Sequence, residues 1–242
     1  CKVASPDKHG QKFFMPAWIP GSYMIRDFAK NIVRFSANSN GEPISVTKLD
    51  KNTWQCEPCE SAIDVTYEVY AWDLSIRSAH LDTTHGYFNG TSVFMAVEGQ
   101  EQLPCTVDIL APEGEQYLQW KVGTSLLCAE GEVGAALYGF GRYQASSYDD
   151  LIDHPVELCD FTLATFEACG IQHDIIISGR HRASVSRLCQ DLKQICEHHI
   201  RFFGESAPMD RYVFLVWVVG DGYGGLEHRA STSLLCSRKD LP

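Results

Sequence analysis

The longest unbroken apolar run in the chain, residues 213–219, reads Val-Phe-Leu-Val-Trp-Val-Val and breaks into Gly220-Asp221-Gly222-Tyr223-Gly224-Gly225. A short run of β-branched and aromatic residues bounded by glycines is the signature of a buried strand. It is far shorter than the roughly 20 apolar residues that cross a bilayer as a helix. The run therefore has to sit inside a sheet. Whatever fold holds it must also carry a glycine-rich turn and a carboxylate, Glu227, just beyond its end.

Periodicity organises the rest. From about residue 11 to 145 the pattern is one of short strands and turns. Residues 32–37 alternate and lead into Asn38-Ser39-Asn40-Gly41, and residues 62–72 place β-branched and aromatic side chains at period two. Residues 92–97 and 106–110 repeat this on a shorter scale. Regular short strands punctuated by Gly, Pro and Asn predict an antiparallel all-β, sandwich-like domain. Tyr148-Asp149-Asp150-Leu151-Ile152-Asp153-His154-Pro155 is an acidic break. The boundary falls there, with residues 1–154 as the all-β N-terminal domain and residues 155–242 as a second, α+β segment. Within the second segment, residues 160–167 and 174–178 are strand-like. Val185, Leu188, Cys189, Leu192, Ile195, Cys196, His199 and Phe203 then recur at helical spacing, with Ser184 as N-cap and Gly204 as the stop.

A formal net charge of −11 argues against nucleic acid and against an anionic membrane surface as partners, because both call for clustered Lys and Arg. With 45% hydrophobic residues the chain can build a core without covalent staples. Its ten cysteines are expected to be reduced, with Cys169, Cys189 and Cys196 on apolar stripes, in a cytoplasmic protein. Residues 1–10 carry no signal-peptide pattern, so the sequon Asn89-Gly90-Thr91 is discounted. Both ends look cut, as in a piece of a longer protein. The sequence gives no indication of oligomeric state.

The chemistry concentrates in Tyr223-Gly224-Gly225-Leu226-Glu227-His228. An exposed edge strand can pair with a peptide through its backbone. Gly224 and Gly225 let another backbone approach closely, because no Cβ stands in the way. A carboxylate just past that edge, Glu227, can hold a protonated α-amine by a charge-assisted hydrogen bond. That arrangement selects a peptide with a free N-terminus. The bland alternative is a plain hairpin turn. A dinucleotide fingerprint would need a helix next, whereas residues 231–237 are strand-like.

Metal sites are poorly supported. His198 and His199 are neighbours on a helix and cannot share a face. His80 and His85 bracket a probable loop, and Cys56 and Cys59 have the spacing of a zinc half-site without a second matching pair. No H-E-x-x-H occurs. The loop from Met15 to Asp27 is either a structural corner, with Arg26 and Asp27 satisfying backbone groups, or part of a substrate groove. A non-catalytic carbohydrate- or peptide-binding module, using Trp18, Tyr23, Trp54 and Trp72 as a platform, is the rival reading.

Four blocks together resemble the glycyl aminopeptidase family of zinc metallopeptidases, a thermolysin-like group. They are Pro16-Ala17-Trp18-Ile19-Pro20-Gly21-Ser22-Tyr23 with Ile25-Arg26-Asp27, Phe88-Asn89-Gly90-Thr91-Ser92-Val93-Phe94, Leu151-Ile152-Asp153-His154-Pro155-Val156-Glu157, and Tyr223-Gly224-Gly225-Leu226-Glu227-His228 with Arg229 and Ser231. The resemblance implies an all-β N-terminal domain followed by the start of a thermolysin-like catalytic domain. It implies an aminopeptidase parent that removes N-terminal residues such as Gly or Ala from peptides. Tyr223, Gly224, Gly225 and Glu227 would form its substrate-binding edge, with Glu227 anchoring the amino terminus. The zinc ligands, the general-base glutamate and a PDZ domain would lie beyond Pro242. No zinc and no catalytic residue are expected within this chain, which alone would be inactive.

Overall fold

Alternating side chains make strands wherever one face can be buried. In the computed structural model, which describes residues 1–131, 133–204 and 207–242, they form four small antiparallel sheets and one larger mixed sheet. The first sheet orders Lys2–Val3, Ile63–Val69, Ile32–Ser39 and Glu42–Ile44, and the second orders Ala96–Val97, Lys12–Phe14, Thr53–Cys56 and Val46–Lys48. Their inner faces share Phe13, Ala37, Trp54, Ile63 and Val65, all buried. Phe35 stacks on Trp54 at 5.3 Å. Trp54 is therefore a core residue and drops out of the aromatic platform, while Trp18, Tyr23 and Trp72 stay exposed.

Three local expectations change. The strand Ile32–Ser39 runs through Asn38 and Ser39, and the turn is only Asn40-Gly41, both at positive φ. That is the backbone a two-residue hairpin turn needs. Residues 92–97 are not one strand, because Gly90–Ser92 forms a 3-10 turn and pairing is confined to Ala96–Val97. The cause is Asn89, whose side-chain oxygen accepts from the Thr91 N–H (3.2 Å) and the Thr91 hydroxyl (2.6 Å). Asn89 and Thr91 are fully buried, so the sequon is out of reach in the folded chain. Cys169 does not sit on an apolar stripe. It occupies an exposed turn with Gly170 at positive φ, and Cys189 and Cys196 are half-buried. All ten cysteines are free thiols.

The acidic break becomes a short helix, Tyr148–Ile152, whose first turn is capped by the Ser147 side chain accepting from the Asp150 N–H. Beyond it, Val156–Cys159 pairs with Lys121–Thr124 on one side and Gly86–Phe88 on the other, inside the sheet that also holds Ala79–Leu81.

The mixed sheet orders Thr162–Ala168, Ile171–Ser178, Arg211–Val219, Ser231–Ser237 and Tyr223–Glu227. The middle three are mutually parallel, and both outer strands are antiparallel to their neighbours. The apolar run of the sequence is thus the central strand. The helix Val185–Phe203 forms as the spacing predicts, although Ser184 makes no side-chain capping bond. The sheet has two distinct faces. One carries Ile176, Leu215 and Leu226 into the main core. The other carries Ile175, Ile177, Val216 and Val218 toward Leu188, Cys189 and Leu192 of the helix.

Candidate functional site

The strand Tyr223–Glu227 lies at the sheet edge and, among the described residues, pairs only with Ser231–Ser237. The His228 N–H donates to Ser231 O (2.8 Å) and closes the turn at Arg229-Ala230. Bonded and non-bonded pairs alternate along an antiparallel ladder. Counting back from His228, Leu226 and Gly224 bond inward to Ser233 and Leu235. Tyr223, Gly225 and Glu227 then direct their backbone N–H and C=O groups to the open edge. By the same alternation these three share one face, the helix-side face of the sheet. The helix packs over the far part of that face, against Thr162–Ala168.

Glu227 is exposed, and its carboxylate makes no ion pair or hydrogen bond among the described residues. Tyr223 is almost completely exposed at 96%. Between them neither glycine needs a positive φ. A methyl at Gly225 would meet only Leu234 Cδ2 at 3.6 Å, an ordinary contact, while one at Gly224 would press on Ile76 Cδ1 at 3.3 Å. Gly224 is therefore small partly because it packs on Ile76. At Gly225 the protein interior gives no such reason.

The four sequence blocks converge here. Asp153 grips the turn beyond Glu227: Oδ1 lies 3.1 Å from His228 Nδ1, and Oδ2 accepts from the Arg229 N–H at 3.0 Å. Burial works to raise the Asp153 pKa, but these hydrogen bonds outweigh it and hold the carboxyl below its usual value. The next residue, His154, is pushed below its usual value mainly by burial, with Asp150 opposing. A Cβ at Gly90 would lie 2.7 Å from Ile152 Cα, so the second block packs directly under the third. The first block reaches the edge itself, since a Cβ at Gly21 would lie 3.8 Å from Glu227 O. That loop exposes Trp18, Tyr23, Met24 and Ile25. Its corner is tied by the Arg26 and Asp27 N–H groups, both donating to Ala17 O.

One residue at the edge carried no sequence signal. Arg77, from the segment between Val69 and Ala79, donates from Nη2 to Gly225 O at 2.8 Å. Nothing in Asp73-Leu74-Ser75-Ile76-Arg77 marks it as a site residue.

The two histidines bracket a turn as expected, the one that joins Ala79–Leu81 to Gly86–Phe88, and both are buried. The Nε2 atom of each lies near a carboxylate, His80 3.2 Å from Asp82 and His85 2.7 Å from Glu157, while neither buried Nδ1 has a hydrogen-bond partner among the described residues. His85 stacks on Trp217 at 4.4 Å, tying the hairpin to the central strand. Burial opposes ionisation of Asp82, but hydrogen bonds from Thr84, His80 and the His85 N–H bring its pKa down to about 2. Among the described residues no group of three or more His, Cys, Asp or Glu side chains is placed to hold a metal ion. The described residues thus offer no ligand set that fits zinc.

A strand and hairpin, not a helix, follow the glycine run, which removes the dinucleotide reading. A cavity of about 710 Å³ lies away from the edge and is lined by Tyr67, Met95, Cys105 and Tyr148 among others. None of its lining residues belongs to the mixed sheet.

The chain is similar to the aminopeptidase N family protein from Idiomarina loihiensis at 46% identity, with a TM-score of 0.93, covering 100% of this chain and 40% of that one. It shares its fold with an M1 zinc metallopeptidase from Deinococcus radiodurans (TM-score 0.52, 10% identity, 97% of this chain and 55% of that one). A structure of the Deinococcus enzyme bound to a Tyr-Ser-Ala substrate matches at TM-score 0.50 and 10% identity, over 96% of this chain and 54% of that one. No curated protein matches. The chain thus spans less than half of the Idiomarina protein. Residues 1–160 of the 242 match the model of the Peptidase M61 N-terminal domain, and the chain belongs to that family.

Proposed function

We propose that this chain is the substrate-gripping part of a zinc-dependent aminopeptidase of glycyl aminopeptidase type. In this reading the β-rich body, through the strand Val156–Cys159, is the N-terminal domain, and the mixed sheet with its helix opens a thermolysin-like catalytic domain. The pairing of Val156–Cys159 with that body moves the proposed border from residue 154 to about residue 160. Zinc and the general base belong to the remainder of a longer protein. When bound there, the metal would polarise the scissile carbonyl and supply the attacking water.

The observation that carries the reading is an exposed carboxylate, unpaired among the described residues, at the end of an edge strand. A peptide laid along Tyr223–Glu227 gains backbone hydrogen bonds from Glu227 and from the Gly225 N–H, the Gly225 O being held by Arg77. Its ammonium group meets Glu227, and its backbone passes close to Gly225 without meeting a side chain. An ammonium–carboxylate contact at that end leaves no room for upstream residues, so cleavage is confined to the N-terminus. The partner is a peptide with a free amine, and the site of action is the cytoplasm. The Tyr-Ser-Ala complex of the Deinococcus enzyme, which shares the fold, supports a peptide in this role.

The test is Glu227→Gln in the full-length protein. Removing the charge is expected to lower kcat/KM for free-amine substrates tenfold or more while changing N-acetylated ones little. Equal effects on both would end the anchor role.

A further inference from the structure

We infer that Arg77 is a substrate-binding residue that receives the carboxylate of a short peptide, so that the edge is built for free dipeptides. The inference rests on the peptidase reading above for the position of the amine. Gly225 O faces the open edge, where the N–H of a pairing peptide would seek it. The Arg77 guanidinium already holds that oxygen at 2.8 Å. Edge pairing is thus interrupted at Gly225, and a cation stands at the interruption. Among the described residues Arg77 forms no ion pair, and its other N–H groups are not buried. Arginine offers five donors in a planar fork that suits a carboxylate.

The spacing matches. Glu227 and Gly225 are two strand residues apart, about 7 Å at about 3.4 Å per residue. An extended dipeptide spans about the same distance from amine to carboxylate. With its ammonium at Glu227 and its chain running antiparallel to the edge strand, its carboxylate arrives beside Gly225 and Arg77. The site then presents a negative group and a positive group at strand positions two residues apart, the spacing at which a dipeptide's own ends fall along the edge. A longer peptide would meet Arg77 with a neutral carbonyl and would have to leave the edge there.

Isothermal calorimetry and kinetics on the full-length protein, with alanyl-alanine and alanyl-alaninamide as probes, test this. The wild type is expected to bind the free acid about tenfold more tightly than the amide, with the difference shrinking as salt is raised. Arg77→Gln should abolish that difference by weakening the acid alone, and Arg77→Lys should restore part of it. Equal wild-type affinity for acid and amide, no binding of the acid, or an equal loss of both in Arg77→Gln would overturn the inference. Should Arg77→Gln fail to fold, the wild-type acid-to-amide ratio and its salt dependence decide alone. Arg77-dependent acid binding by a protein that cleaves neither probe would keep this inference and remove the peptidase reading.

Discussion

A methyl group added at Gly90 would lie 2.7 Å from Ile152 Cα, whereas one added at Gly225 would lie 3.6 Å from the end of a leucine side chain. The first contact is with backbone and cannot relax cheaply. Gly90→Ala is therefore expected to cost about 1–3 kcal/mol and to lower the melting temperature by several degrees. Gly225→Ala should leave the melting temperature within about a degree, since an extended strand tolerates alanine at least as well as glycine. Its effect should fall on KM, because the methyl stands on the same face as the Glu227 carboxylate, beside the path of the proposed peptide. Thermal melts of both variants beside peptide kinetics check this pair. At this scale the sequence was legible where a residue type is chemically unusual. Glycines beside an acid after a buried strand single out Gly224, Gly225 and Glu227 as candidates, and they do share one edge strand. Arg77 was invisible because its role depends on a contact between residues 148 positions apart. Trp54 misled for the same reason: exposure of an aromatic side chain is set by what packs on it, here Phe35.

The hairpin of Tyr223–Glu227 and Ser231–Ser237 is held at its turn by one buried carboxylate, Asp153. Its folded pKa is depressed, so its contribution is present above the unfolded value of about 4 and is lost as pH falls through the lower folded value. His154 is depressed by burial, so its contribution is full above about 6.5 and falls as pH drops from there toward its folded value. Both lose stability on acidification, in successive windows. The hydrogen-exchange protection factors of the inward-bonded Gly224 and Leu226 amides, corrected for the slower intrinsic exchange in acid, should therefore fall below about pH 6.5 and again below about pH 4. Asp153→Ala, which removes hydrogen bonds to a charged group, should cost about 1.5–3 kcal/mol at neutral pH and erase the more acid step. At the scale of elements, period-two and helical spacing located most strands and the helix Val185–Phe203. They failed at residues 92–97, where the Asn89 side chain substitutes for ladder hydrogen bonds. They also failed to show that residues 156–159 complete a sheet begun seventy residues earlier, because register across such a separation leaves no local pattern.

Across the molecule, the β-rich body acts as a platform. The Tyr87 hydroxyl donates to Ile76 O and accepts from the Ser233 hydroxyl, Ile76 lies beneath Gly224, and His85 stacks on Trp217. The platform covers one face of the mixed sheet and fixes the edge strand that projects beyond it. The opposite face is only partly covered. The helix Val185–Phe203 has no fully buried residue, and Ile195, Phe202 and Phe203 are exposed at 51%, 74% and 85%. Exposed apolar area of this kind drives association. The 242-residue chain by itself is expected to bind an apolar dye and to self-associate with rising concentration, and Phe202→Ser with Phe203→Ser should reduce both. Dye fluorescence and sedimentation check this. The sequence conveyed the β-rich body and the α-plus-β character of the last third. It could not convey how four separated blocks meet around one turn, since that depends on the packing of Gly90, Asp153 and Gly21 against partners distant in the chain. The central claim is that Glu227 and the free edge of Tyr223–Glu227 capture a peptide by its amine. A crystal structure of the full-length protein with a bound free-amine dipeptide tests it most directly. The account predicts the ligand ammonium within about 3 Å of the Glu227 carboxylate and its backbone paired with the edge strand. A ligand bound elsewhere, with Glu227 left in solvent, would contradict it.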